Sequence, residues 1–259
     1  MKIKIIRIVT IIFILFIAFG MYSVYAQTQS AIVNPNGDLG VQEESFHQVL
    51  KQRFIEGGVV WMMPILLVFI LGLAVVIERI IYLNLSVVNT EKLLANIEKN
   101  IDTNGLDAAK ELCRNTRGPV ASIFYQALDR VNEGIEMAEK SIIAYGSVQS
   151  ARLERGLSWI SLGIALAPML GFLGTVVGMV QAFDAIEIAG DISPSLVAGG
   201  IKVALLTTIF GLIVAMILQV FYNYIVSRID SLVLQMEDSS ITLVDLLIKY
   251  KNKIKRTEI

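Results

Sequence analysis

The chain has 259 residues, of which 55% are hydrophobic and only 17% are charged. Such a low charged fraction is typical of a membrane protein and argues against a soluble domain. A single cysteine, Cys113, and a single histidine, His47, exclude a disulfide framework and a His/Cys metal site built by one chain. The net charge of −1 carries little information, because charges of the two signs are segregated along the chain.

The first 26 residues have the pattern of a secretory signal peptide. Lys2, Lys4 and Arg7 precede an apolar run, and Val24-Tyr25-Ala26 has acceptable small residues for signal-peptidase cleavage after Ala26. The alternative is an uncleaved anchor helix, since the apolar run is long for a signal peptide. In both cases residue 27 emerges on the far side of the membrane.

Three charge-free stretches follow, of 19, 28 and 25 residues, each long enough for one spanning helix. They predict an all-α integral membrane protein with three transmembrane helices in the mature chain and long helices extending into the cytoplasm. The predicted segments are a periplasmic N-terminal extension at 27–58, transmembrane helix 1 at 59–83, a cytoplasmic helical domain at 84–155, transmembrane helix 2 at 156–183, a periplasmic loop at 184–200, transmembrane helix 3 at 201–227, and a cytoplasmic C-terminal helix with a basic tail at 228–259.

The distribution of Lys and Arg gives the orientation. Residues 84–155 contain nine of these cations, the segment 184–200 contains none, and the tail from Arg228 contains six. Because loops rich in Lys and Arg stay in the cytoplasm, we predict a periplasmic mature N-terminus and a cytoplasmic C-terminus. The basic tail also suits a contact with lipid headgroups, although a solvated charge run is the commoner explanation.

Apolar residues recur at helical spacing through the cytoplasmic segments. Thr90 is a candidate N-cap, and Asn104-Gly105 and Gly118-Pro119 are expected to interrupt the helices. The run from Ile135 meets no obvious breaker before the second span, which favours one continuous helix. The third span is expected to continue as a helix well beyond the membrane.

Small residues form one narrow stripe on each of the second and third spans. The stripes contain Gly163, Ala167, Gly171, Gly174, Gly178 and Ala182, and then Gly200, Ala204, Thr208, Gly211 and Ala215. Such faces let helices approach closely in lipid. A monomer would leave them unpacked, so we expect an oligomer. The residues predicted to serve helix packing are Gly171, Gly174, Gly178, Ala204, Gly211 and Pro168.

Between the charged ends of the second and third spans there is no Asp, Glu or His. The hydroxyls of Thr175, Thr207 and Thr208 can relay a proton but cannot hold a charge near neutral pH, and they can also simply bond back to their own helix. A proton path here therefore needs a carboxylate from another chain. Asp184 and Glu187 are expected in the outside loop, and Lys202 is expected to reach outward. No catalytic cluster appears, so we expect no enzyme, no cofactor and no nucleic-acid partner.

Three motifs carry a family resemblance. Ala167-Pro168-Met169-Leu170-Gly171-Phe172-Leu173-Gly174-Thr175-Val176-Val177-Gly178-Met179 resembles the signature of the MotA/TolQ/ExbB proton-channel family. The segments Leu153–Leu157, Ala204–Leu212 and Tyr222-Asn223 resemble its ExbB/TolQ branch. The resemblance covers residues 59–230, with the motifs in the same order and topology.

The resemblance implies an inner-membrane subunit that forms a pentameric ring around a single-span partner similar to ExbD or TolR. The membrane aspartate of that partner would carry the proton past Thr175 and Thr208, with Thr207 beside them. Proton flow would energise a TonB-like protein for outer-membrane import. Relatives of this branch often have a glutamate one turn before the threonine pair, where this chain has Val203, which cannot titrate.

Two alternatives stay open beside the channel. One is a non-conducting membrane scaffold, in which the stripes only drive oligomerisation. The other is a motor stator subunit of the MotA type, which the order of elements disfavours, because MotA-like chains have two spans before the large cytoplasmic segment.

Overall fold

The computed structural model describes residues 46–190 and 194–257, with side chains described at 48–190, 194 and 197–253. The predicted signal peptide at 1–26 and most of the predicted extension lie outside the described residues. The chain divides into two compact units, residues 1–55 and 56–259. In the first unit the described part belongs to helix α1 (Phe46–Glu56).

The described residues of the second unit form helices joined by short connections and contain no strand. Its elements are α2 (Val59–Ser86), α3 (Thr90–Asn104), α4 (Leu106–Asn115), α5 (Pro119–Arg130), a short 3-10 helix (Val131–Glu133), α6 (Ile135–Glu154), α7 (Leu157–Ala189) and α8 (Pro194–Thr257). The predicted all-α class is confirmed.

Three helical stretches, within Val59–Asn104, Ile135–Ala189 and Val197–Lys253, are long and apolar enough to cross a membrane. Between 22% and 33% of their most apolar windows is buried inside the chain. Most of each apolar surface therefore faces outward, where lipid or other chains can cover it. This confirms a membrane protein with three candidate spans.

The helix-breaking residues predicted for the middle segment lie at observed helix ends, but the predicted N-cap of α3 is wrong by one residue. α3 ends at Asn104, and α5 begins at Pro119 after Gly118, whose φ is 120°. The N-cap of α3 is Asn89 and not Thr90, because the Asn89 side-chain oxygen accepts a hydrogen bond from the Lys92 backbone N–H at 3.0 Å. Asparagine is among the strongest N-cap residues, so the displacement by one residue has a chemical reason.

The expected continuous helix from Ile135 into the second span is wrong, since the chain breaks between α6 and α7. Gly156 takes the left-handed conformation, with φ 90° and ψ −14°, which a residue with a side chain adopts at a cost. A left-handed glycine directly after a helix is a common termination signal, so Gly156 itself was the overlooked signal.

The third apolar helix continues far beyond its apolar stretch, so that α8 is 64 residues long. Helices α3, α5 and α6 pack along its distal half around a core that includes Ile97, Phe124, Leu128, Leu243 and Leu247, each at most 1% exposed. Near the end of α8, Lys253 Nζ lies 2.8 Å from Asp102 Oδ1 of α3. This ion pair joins the basic tail to the middle segment.

Candidate functional site

The small-residue stripe of α7 faces α8 of the same chain. Its six members, Gly163, Ala167, Gly171, Gly174, Gly178 and Ala182, are all buried. The opposite face of α7 is exposed, with Phe172 at 68% and Met169 at 65%. The stripe is thus the inner surface of a helical hairpin.

Backbone meets backbone along this hairpin. A Cβ on Gly171 would lie 3.0 Å from the Thr207 carbonyl oxygen and 3.2 Å from Cα of Thr208. A Cβ on Gly211 would lie 2.5 Å from the Ala167 carbonyl oxygen, and one on Gly178 would lie 3.1 Å from Cβ of Ala204. A side chain at Gly211 would require the backbones to move apart, and one at Gly171 or Gly178 would be in tight contact with the facing helix.

The hairpin corrects two expectations from the sequence. One chain does not leave its small faces unpacked, because the two stripes pack against each other. The stripes by themselves therefore give no argument for an oligomer. Pro168 lies beside the stripe within an uninterrupted α7, half-buried.

Thr207 is fully buried between the two helices of the hairpin. Its hydroxyl donates to the Ala204 carbonyl oxygen at 2.8 Å, and its Oγ1 lies 2.5 Å from the position of a Cβ on Gly174. These are the contacts of a packing residue, with the hydroxyl satisfied by its own helix.

The hydroxyls of Thr208 and Thr175 donate to neighbouring carbonyl groups of α7. The Thr208 hydroxyl donates across the hairpin to the Gly171 carbonyl oxygen at 3.3 Å. In a regular α-helix that carbonyl also accepts the backbone N–H of Thr175. The Thr175 hydroxyl donates to the Phe172 carbonyl oxygen at 2.6 Å, and both threonines are half-exposed. Each helix of the hairpin thus has one half-exposed threonine hydroxyl that is bonded to a carbonyl oxygen of α7.

The charged residues at the outer end of the hairpin differ from expectation. α7 continues to Ala189, so Asp184 and Glu187 lie in its last turns and not in a loop, and both are exposed. The described residues contain no group of three or more His, Cys, Asp or Glu side chains that could hold a metal ion.

Lys202 is paired, and its partner was missed from the sequence. Lys202 Nζ lies 2.9 Å from Glu56 Oε2. Beside this pair, Cγ1 of Val203 lies 3.6 Å from the position of a Cβ on Gly58, the N-cap of α2. Both residues lie beside the start of the first apolar helix. The predicted topology could have suggested this pair, since it places Glu56 and Lys202 at the same side of the membrane.

Comparison with known proteins extends over most of this unit. The model of the MotA/TolQ/ExbB proton channel family matches residues 115–238. The chain is 34% identical to a putative biopolymer transport protein ExbB homolog of Methanothermobacter thermautotrophicus over 188 residues, which are 72% of this chain and 66% of the relative. It is 31% identical to the putative biopolymer transport protein ExbB-like 1 of Synechocystis sp. over 182 residues, 69% of this chain and 71% of the relative.

A third relative matches over a shorter range. The biopolymer transport protein ExbB of Neisseria gonorrhoeae is 31% identical over 138 residues, 48% of this chain and 63% of the relative. The family match contains α7 and most of α8, and therefore all three candidate threonines.

Proposed function

This chain belongs to the MotA/TolQ/ExbB proton channel family, and we propose that it is the ring-forming subunit of an ExbB–ExbD-type complex that couples proton flow to outer-membrane transport. The family supports a proton-channel role in energy transduction. The ring, the partners and the residues on the path are our proposal.

The observation that carries the proposal is the pair of half-exposed threonines, Thr175 on α7 and Thr208 on α8, whose hydroxyls donate to neighbouring carbonyl oxygens of α7. Such hydroxyls can donate and accept protons in hydrogen bonds without bearing a charge. No Asp, Glu or His stands between the charged ends of these spans. The group that titrates must therefore come from outside the chain, and a single-span protein with a membrane aspartate, similar to ExbD or TolR, supplies it.

The proposed topology places the mature N-terminus in the periplasm and the C-terminus in the cytoplasm of an inner-membrane protein. Two ion pairs agree with the predicted grouping of segments by side, which leaves the inside–outside assignment to the distribution of Lys and Arg. Glu56 belongs to the segment predicted outside and Lys202 to the adjoining start of transmembrane helix 3, whereas Asp102 and Lys253 belong to segments predicted inside. Neither pair joins opposite sides.

The energy available is sufficient for a mechanical step. Moving one elementary charge through about 100 mV releases about 2.3 kcal/mol. A few protons passing between the ring and an enclosed partner could therefore move that partner and drive a TonB-like protein.

The test has two stages. The complex is first purified in mild detergent and its native mass is measured; we expect five copies of this chain with a small single-span protein. The complex is then reconstituted in vesicles with a pH-sensitive dye inside. Thr208→Val should lower proton flux with the assembly intact, and Thr208→Ser, which keeps the hydroxyl, should retain it. Unchanged flux in Thr208→Val, or a ring without a carboxylate-bearing companion, would favour the non-conducting scaffold.

A further inference from the structure

A groove of about 840 Å³ lies between α6 and α8, with Ile123 of α5 contributing to its lining. Its walls are formed by residues 139–154 of α6 and 233–245 of α8. At 1.5 Å per residue, the α6 wall is roughly 22 Å long. The groove lies outside the apolar spans and away from Thr175 and Thr208.

The groove has an apolar floor and an apolar rim. Ile142 and Met236 line it as buried residues, whereas Ile143 and Ile241 are 68% and 66% exposed. Exposed apolar side chains that border an apolar groove are typical of a surface that binds another molecule.

The charged residues of the groove are all acidic. Glu139, Glu154, Glu237 and Asp245 line it, and no Lys, Arg or His does. Among the described residues none of these four carboxylates is in an ion pair, although acids elsewhere on the same helices are, as Glu136 is with Lys140. The groove therefore offers about four negative charges around an apolar centre.

We propose that this groove is the docking site for a cationic, amphipathic segment of another polypeptide. A helical segment of about 15 residues would match the length of the groove. Its Lys or Arg side chains would pair with the four carboxylates, while its apolar residues cover Ile143 and Ile241. The site is separate from the proposed proton path and does not depend on it.

Binding of a synthetic peptide to the full-length chain in neutral detergent tests the proposal. The probe is a fluorescein-labelled 15-residue peptide of Leu and Lys with an amphipathic helical pattern, followed by anisotropy. We expect binding that weakens with salt and falls about ten-fold or more in the quadruple variant Glu139→Gln, Glu154→Gln, Glu237→Gln, Asp245→Asn. A peptide with Glu in place of Lys should not bind.

A matched variant controls for net charge. Glu91→Gln, Glu98→Gln, Asp230→Asn, Asp238→Asn removes four exposed acids that do not line the groove. It should bind the Lys peptide as the unchanged chain does. Equal binding by all three proteins, or equal loss in both variants, would overturn the proposal, because affinity would then not depend on the groove.

Photo-crosslinking distinguishes a second copy as the occupant. A photoreactive residue at Ile241 should give an adduct of the chain with the Lys peptide, and one at the exposed Leu234, outside the groove, should not. A product of twice the chain mass from position 241 in native membranes would show that a second copy fills the groove, and the proposal would be wrong.

Discussion

The ammonium group of Lys202, near the start of α8, lies 2.9 Å from the carboxylate of Glu56, two residues before the N-cap of α2. The side chains are 49% and 23% exposed. This pair joins the N-terminal end of the first apolar helix to that of the third.

Reversing either charge should weaken this junction, and reversing both should restore it. Glu56→Lys or Lys202→Glu places like charges together, whereas the double exchange recreates a pair. Since partly exposed pairs contribute up to about 1 kcal/mol, we expect a fall of a few degrees in the detergent-solubilised melting temperature for each single change. Lys140→Glu is the control in a more exposed pair. A double exchange no more stable than the single changes would contradict the pairing.

Adjacent glycines at the start of α8 should respond oppositely to alanine. A Cβ on Gly200 would lie 2.5 Å from Cβ of Ala182 and 2.8 Å from the Gly178 carbonyl oxygen, whereas one on Gly199 has nothing within 4 Å. Gly200→Ala should cost about 1–3 kcal/mol by forcing the helices apart. Gly199→Ala should be neutral or slightly stabilising. Thermal unfolding of both variants in the same detergent measures the difference, and equal stability would argue against the hairpin contact.

Substitutions of the neighbouring residues Thr207 and Thr208 should have different effects, one on the stability of the hairpin and the other on proton flux. Thr207→Ala removes buried atoms from the hairpin, so we expect lower stability with unchanged flux per assembled complex. Thr208→Val leaves the hairpin packed but removes the hydroxyl beside Gly171, so flux should fall while stability changes little. Flux in vesicles, normalised to assembled complex, is compared with the melting temperature. A loss of flux in both variants in proportion to stability would assign both residues to packing.

Alanine at Gly156 should lower the stability more than alanine at Gly190, another glycine in the left-handed conformation. Gly156 and Gly190 have φ of 90° and 65°, so alanine at either costs roughly 1–2 kcal/mol in backbone strain. A Cβ on Gly156 would also lie 3.3 Å from Nε of Arg79, whereas one on Gly190 meets nothing within 4 Å. We expect Gly156→Ala to be the more destabilising in thermal unfolding. Adding Arg79→Ala to Gly156→Ala should restore only the part of the stability that was lost through the contact with Arg79. If Gly156→Ala costs no stability in the Arg79→Ala background, the backbone at Gly156 is not strained.

Cys113 should be inert in the folded chain. Burial of the thiol raises its pKa to about 12, so at pH 8 only about 10⁻⁴ of it is thiolate. A maleimide should label an introduced Ser147→Cys, which is exposed, much faster than Cys113. Denaturant should abolish the difference. Rapid labelling of Cys113 in the intact chain would show that α4 opens.

Much of this architecture could be predicted from local sequence patterns, which involve residues close to one another along the chain. Apolar length predicted the three candidate spans, and the spacing of glycines predicted the small faces of α7 and α8. Which surface a small face meets depends on residues some 40 positions apart, such as Gly171 and Thr208. The sequence therefore did not show that the stripes close within one chain, nor that Glu56 reaches Lys202.

The break at Gly156 and the continuity of α8 give the molecule two different mechanical connections between the same two regions. α8 is one uninterrupted helix of 64 residues, roughly 96 Å long, so it connects the membrane helices directly to the basic end. The other connection, from α6 to α7, is interrupted at Gly156, so the two helices have separate axes. We therefore expect movement between the membrane helices to be carried along α8 and to be accommodated at the break between α6 and α7.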